Sequence, residues 1–197
     1  MTNHNPELPM RHHPVTARTR RIVVFLFLLA PLLGGCLEHR STGAMFDDQN
    51  IELRVIDAIY GTEEIDRSSH IKVEVYENVV LLMGETPTES GKALAGRMAA
   101  TIDQVERVVN EIEVREQDGL GGKMSNSWLS GKVEWALARE DTLDGWDPHR
   151  IKVISAGGTV YLMGNVSRAE CDQIAETVRN VRGVEKVVKV FNYQEDD

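Results

Sequence analysis

Apolar and polar positions fall into one order twice along the chain. From 51 to 60 the apolar residues stand three and four apart, the spacing of an amphipathic helix. Ile71, Val73 and Val75 then alternate with polar neighbours, Glu77-Asn78 turns, and 79–83 returns, which predicts a β-hairpin. Thr86-Pro87-Thr88-Glu89 offers a cap, a proline at the first helical position and a capping-box glutamate for a second helix. A strand over 108–114 closes the set. The same order returns as a helix over 129–139, a hairpin turning at Gly157-Gly158, a capping box at 167–170 and a strand over 187–193. Identity accompanies the pattern. Ile71-Lys72-Val73 recurs as Ile151-Lys152-Val153, Val80-Leu81-Leu82-Met83-Gly84 as Val160-Tyr161-Leu162-Met163-Gly164, and Val105-Glu106-Arg107-Val108-Val109 as Val184-Glu185-Lys186-Val187-Val188.

The order in each copy is αββαβ. Two helices packed on one face of a small three-stranded mixed sheet is the economical way to bury it, so an α+β fold of two tandem domains is expected. The first domain takes 50–115 and the second 128–194, with a tail at 195–197. Between them, 116–127 carries Gly119, Gly121 and Gly122 and reads as a flexible linker. Gly84 and Gly164 are expected to end the hairpins as structural turns, serving backbone conformation and not chemistry.

Residues 1–35 do not belong to this pattern. Arg11, Arg18, Arg20 and Arg21 precede an apolar run over 22–33. That run is shorter than the about 20 residues a spanning helix needs and suits a signal segment. The basic stretch is long, and Met10 is an alternative start. Gly34 and Gly35 lead into Cys36, and Leu33-Gly34-Gly35-Cys36 resembles the lipobox of bacterial lipoproteins. The resemblance implies cleavage before Cys36, lipid on its thiol and an acylated new amino terminus. Leu37 follows where an aspartate would alter sorting, which by the same resemblance favours the outer membrane, facing the periplasm. Residues 36–49 are then the lipidated cysteine and a tether.

Charge narrows the partners. Removing 1–35 takes four arginines and Glu7 from 22 basic and 31 acidic residues, leaving 18 and 30. A chain this acidic does not suit nucleic acid, whose phosphates require Lys and Arg, nor a broad polybasic grip on lipid. Candidate chemistry is sparse. His39 falls in the tether, and His70 and His149 stand before the first strand of each copy among charged residues, as solvated side chains do. Cys171 is in helical register with Ile174, Val178 and Val181 and reads as a small buried hydrophobe. No zinc spacing of Cys and His and no phosphate loop is present, so neither metal, cofactor nor catalytic residue is expected.

The first helix of the second copy is different. At about 100° per residue, Leu129, Val133, Ala136 and Leu137 form a core face, while Trp128, Lys132, Trp135 and Arg139 fall within about 60° of arc beside it. Aromatic rings and cations on one stripe suit a lipid interface. In the first copy the matching positions hold Asn50, Arg54, Asp57 and Gly61, so the fold does not require the tryptophans. Packing of the rings on the other domain or over a sheet edge is the alternative. Glu134 and Glu140 flank the stripe, and Trp146 is read as a core plug.

The αββαβ repeat, the strands ending Leu-Met-Gly and the closing Gly183-Val184-Glu185-Lys186-Val187-Val188 resemble the BON domain. Two such domains behind a lipobox resemble the dual-BON outer-membrane lipoproteins associated with division and envelope stress. Gly119-Leu120-Gly121 and the stretch from Ser127-Trp128-Leu129 to Lys132-Val133 carry that likeness closely. The resemblance implies a non-enzymatic protein that binds membrane phospholipid through the first helix of its second domain and supports outer-membrane integrity. A module docking onto outer-membrane assembly or division proteins is the alternative.

Overall fold

The computed structural model describes residues 42–115, 127–139 and 150–194. The first copy runs α1 (Thr42–Tyr60), β1 (His70–Tyr76), β2 (Val79–Thr86), α2 (Glu89–Ala100) and β3 (Arg107–Val114). The second runs α3 (Ser127–Leu137), β4 (Ile151–Ala156), β5 (Thr159–Val166), α4 (Arg168–Arg179) and β6 (Lys186–Tyr193). β2 and β5 are the central strands, each antiparallel to the strand before it and parallel to the strand after its helix. The fold is α+β, with two three-stranded mixed sheets. His39, Glu140, Trp146, His149 and most of the signal, tether and linker segments lie outside the described residues.

Both hairpins turn on two residues with positive φ, Glu77 (44°) and Asn78 (63°), then Gly157 (52°) and Gly158 (85°). Such turns match the twist of the flanking strands but disfavour side chains other than Asn, Asp and Gly. The glycine pair meets this directly. The Glu77-Asn78 turn is braced by the buried carboxylate of Asp48, which accepts from the Glu77 amide at 2.9 Å and the Asn78 amide at 3.2 Å. That brace belongs to a helix longer than the pattern predicts. α1 begins at Thr42, well ahead of Ile51, and takes up much of the stretch read as tether.

The cap of α2 also differs from the expectation. Thr88, not Thr86, is the N-cap, with its hydroxyl accepting from the Gly91 amide at 3.0 Å. Thr86 is still in β2, paired with Val114, and its buried hydroxyl shares a hydrogen bond with Ser69 at 2.9 Å. The sheet register therefore claims Thr86 before the helix can. At α4 the reciprocal capping box of Ser167 and Glu170 forms as expected.

Helices cover one face of each sheet. Ile51, Val55 and Ile59 of α1 meet Ile71, Val73, Val80 and Leu82. Leu129, Val133 and Leu137 of α3 meet Ile151, Val160, Leu162, Phe191 and the α4 residues Cys171, Ile174 and Val178. The other faces cover each other. Tyr76, Val79, Leu81 and Met83 pack on Ile154, Tyr161, Met163 and Val190, so the two sheets stand back to back with helices outside. Polar contacts rim this seam. The Tyr76 hydroxyl donates to the Arg150 carbonyl at 2.9 Å, Arg107 donates to the Phe191 carbonyl at 3.0 Å, Glu77 meets Asn165, and Lys186 meets Glu111 at 3.1 Å. Burial pushes the Tyr161 hydroxyl up to about 12, with Glu111 and Glu113 adding to the shift.

Gly84 and Gly164 do not end their strands. They lie inside β2 and β5, opposite Ile71 and Ile151. A Cβ on Gly84 would stand 2.0 Å from the His70 carbonyl oxygen, and φ there is +112°. A Cβ on Gly164 would stand 2.7 Å from the Arg150 carbonyl oxygen. Their role is close approach of the neighbouring strand, not a turn.

Two predictions follow from the seam. Leu81→Ala removes a fully buried side chain between the sheets and is expected to lower stability by about 2–4 kcal/mol, read as a fall in the denaturation midpoint. The second concerns Glu74, which accepts from Lys72 at 2.6 Å and from Lys152 of the other domain at 2.7 Å. Burial raises its pKa, but those ammonium groups outweigh burial and hold the carboxyl below its ordinary 4.5. A depressed carboxylate stabilises the fold above its ordinary value and ceases to as pH falls through its folded one. Stability should therefore drop below pH 4.5, and Glu74→Gln should flatten the drop in denaturation curves taken across that range. Glu52, raised by burial and by Glu74, works with the opposite sign.

Candidate lipid-contact surface

α3 divides its sides as the spacing demands. Leu129, Val133 and Leu137 are buried, while Trp128 and Trp135 are 71% and 63% exposed. Indole rings of this size rarely stay that bare, since each could remove much apolar area from water. Among the described residues, neither ring belongs to the buried cluster through which the two domains meet. The helix ends at Leu137, two residues short of Arg139, which stands in the following turn.

Each ring carries a cation. The Lys132 ammonium lies 4.4 Å from the Trp128 ring centroid, and the Arg139 guanidinium 4.5 Å from that of Trp135. These are cation–π distances. The four residues predicted as one stripe are thus two aromatic–cation pairs on one ridge. Between them Gly131 sits three residues after Trp128 and four before Trp135, and a Cβ there would meet nothing within 4 Å. The ridge therefore has an open notch at its centre. No helix among the described residues is long and apolar enough to cross a membrane.

One participant was missed from the pattern. The Lys132 ammonium donates to the Arg182 carbonyl in the α4–β6 connection, which puts the exposed residue Arg182 next to Lys132 on the chain's surface. Next to it Gly183 holds φ at +106°, and a Cβ there would come within 4.0 Å of the Trp128 ring. The repeat itself carried the signal. Aligning Val184 with Val105 places Arg182 on Asp103. In the first copy Asp103 forms an ion pair with Arg54 at 3.6 Å, and Arg54 is the counterpart of Lys132. The second copy has reversed the acid to a base. Among the described residues, Lys132 and Arg182 have no carboxylate partner, so the copy with the tryptophans also holds the unneutralised charge.

Cys171 is buried in the second core, its sulfur 3.6 Å from the Tyr193 hydroxyl. His70 opens β1 with an exposed side chain. Among the described residues no three His, Cys, Asp or Glu side chains converge as a metal site.

The ridge geometry generates a stability prediction. Trp128→Ala and Trp135→Ala remove exposed rings, so each should change folding stability by less than about 1 kcal/mol, while both indoles should be freely quenched by acrylamide. A large loss of stability would mean the rings are structural.

The family model of the BON domain matches residues 47–116 and 125–195. The 21 kDa hemolysin of Actinobacillus pleuropneumoniae is 35% identical over 157 residues, covering 80% of this chain and 79% of that protein. The outer membrane lipoprotein DolP of Haemophilus influenzae is 30% identical over 156 residues, covering 79% of each chain. Among solved structures, CdsD, a structural protein of the type III secretion system of Chlamydia trachomatis, aligns with a TM-score of 0.29 at 10% identity, over 75% of this chain and 94% of that one.

Proposed function

The chain belongs to the BON-domain family, and from that premise we propose that it is an outer-membrane lipoprotein, acylated on Cys36 and facing the periplasm, whose second domain binds phospholipid through the α3 ridge. Trp128 and Trp135 enter the headgroup region, and Lys132, Arg139 and Arg182 meet phosphate. The observation that carries this reading is the pair of bare indoles, each beside a cation, on a helix whose counterpart in the first copy has neither ring. Similarity to a relative named as an outer membrane lipoprotein supports the location. Support of outer-membrane integrity, with a link to division or envelope stress, completes the proposal.

Magnitudes set what the ridge does. Partly burying two indoles yields roughly 3 kcal/mol, on the order of a hundredfold in affinity. That is too weak to recruit a free protein. A lipid-anchored one already stands at about millimolar effective concentration near the bilayer. The ridge therefore orients the domain and selects the lipid beneath it, and anchoring is left to Cys36.

The test is binding of the unlipidated chain, residues 37–197, to vesicles with and without anionic lipid. Trp128→Glu and Trp135→Glu should each weaken binding by about tenfold or more, given roughly 1.5 kcal/mol per ring. Arg182→Asp, which restores the first-copy charge, should reduce the preference for anionic vesicles and the salt dependence. Equal binding by parent and variants would overturn the proposal. Recovery of one stable protein partner with no vesicle binding would favour a docking module instead.

A further inference from the structure

We infer that the first turns of α1 form a second bilayer contact, built from Met45, Phe46 and Leu53 and separate from the α3 ridge. The inference rests on the reading of Cys36 as the acylated residue. Phe46 is 71%, Leu53 63% and Met45 54% exposed, an unusual set for one helix of so acidic a chain. At about 100° per residue they fall, with Gln49, Ile56 and Tyr60, in an arc of about 100° that holds no charged side chain and is flanked by Glu52 and Asp57. Asp47 lies on the far side of the helix from the centre of that arc, and Arg54 is drawn toward Asp103. The buried positions Ile51, Val55 and Ile59 form a different face. α1 is thus apolar on two sides, and the sheet uses only one.

Geometry explains why the second side stays open. The Tyr60 hydroxyl is bound to the backbone of Ile71 at the start of β1, and Asp48 is bound to the turn at its end. α1 therefore runs antiparallel to β1, and the residues ahead of Asp48 pass beyond the hairpin tip, where the sheet has ended. Met45 and Phe46 are on that overhang.

Chain length identifies what covers it. Only residues 37–41 separate Cys36 from the first residue of α1. Six Cα steps reach at most about 20 Å, less than the length of α1 itself. An acylated Cys36 sits at the headgroup level, so the overhang cannot leave the neighbourhood of the bilayer. An uncharged apolar face held there settles into the boundary of headgroups and acyl chains, as interfacial helices do. The same end of the sandwich carries the Trp135 side of α3. Ser130 meets Ser155, so α3 runs back along β4 toward Arg150, whose carbonyl accepts from Tyr76 next to the Glu77 turn. The overhang and the Trp135 end therefore sit at one end of the molecule.

The experiment uses the mature lipidated chain in vesicles of phosphatidylethanolamine and phosphatidylglycerol, with part of the lipid carrying a doxyl quencher high on its acyl chain. A bimane label is placed at Leu53→Cys, inside the arc, and at Asn50→Cys, outside it; Cys171 is buried and Cys36 is blocked. Quenching at 53 should exceed that at 50 by about twofold or more for a helix face at the acyl boundary. It should persist when Trp135→Glu is added, because the short tether alone holds α1 at the surface. Phe46→Glu should reduce it. Equal quenching at 53 and 50 overturns the inference, as does protection of position 53 that requires an added envelope protein. Mass measurement of the same chain reads the anchor separately. An acylated chain with an unquenched position 53 refutes this contact and leaves the anchor standing, while a chain without acyl groups at Cys36 refutes both.

Discussion

The constraint on which this molecule depends is that a three-stranded sheet has two faces and one pair of helices covers only one of them. In the first copy the uncovered face would present Tyr76, Val79, Leu81 and Met83 to water; in the second, Ile154, Tyr161, Met163 and Val190. Leaving such faces bare forfeits roughly 1.5–3 kcal/mol for each large side chain. Placing the faces back to back buries both at once and makes each domain the other's missing layer. The linker then needs only to permit the pairing. The rim of charged and polar groups, Lys152 to Glu74 and Lys186 to Glu111 among them, sets the register of the two sheets.

That arrangement decides which surfaces are free to do something else. With the sheets committed to each other, the outward sides of the helices are what remains. The two copies keep largely apolar inner faces and diverge outside. Arg54 and Asp103 neutralise each other in the first, whereas in the second Lys132 lies over an indole and binds the carbonyl of Arg182. One acid-to-base reversal and two tryptophans separate a closed surface from a charged aromatic one, and none of these three positions alters the core. Duplication supplied the missing layer and a spare outer face together.

Much of this was legible along the chain, and what was not has identifiable causes. Helices, hairpins, repeat and the Ser167–Glu170 box follow from local spacing, which is where periodicity and capping act. The Trp128–Lys132–Trp135–Arg139 stripe was legible too, because a helix wheel needs no tertiary knowledge. The back-to-back seam was present as five consecutive apolar residues from Val79 to Met83, all buried, the mark of a strand covered on both faces. It was overlooked because Ile71, Val73 and Val75 alternate cleanly and suggest a sheet with one wet side. The early start of α1 was hidden for another reason. Asp48 acts on a turn 30 residues away, and no window of local pattern contains both. Gly84 reads as a turn residue by type; only the His70 carbonyl across the ladder shows that it is a contact residue. Arg182 contributes through its backbone carbonyl, which no side-chain pattern reports.

On the proposed reading, weakness at each lipid contact is a consequence of this design and not a defect in it. An interfacial site strong enough to hold the chain unaided would need an apolar area that a soluble precursor could not expose during export without aggregating. Dividing the task removes the conflict. Acyl chains on Cys36, as proposed, would supply residence, and each small face would then act at a concentration fixed by its tether. Burial of the α1 overhang, as inferred above, would add little to affinity and much to orientation. Once that end of the sandwich faces the bilayer, the Trp135 end of α3 is brought down with it, and rotation is the main freedom left. In the proposed function the α3 ridge closes that rotation. Because its cations sit beside its rings, it would do so more firmly over anionic headgroups and give a nonspecific anchor a lipid-selective posture.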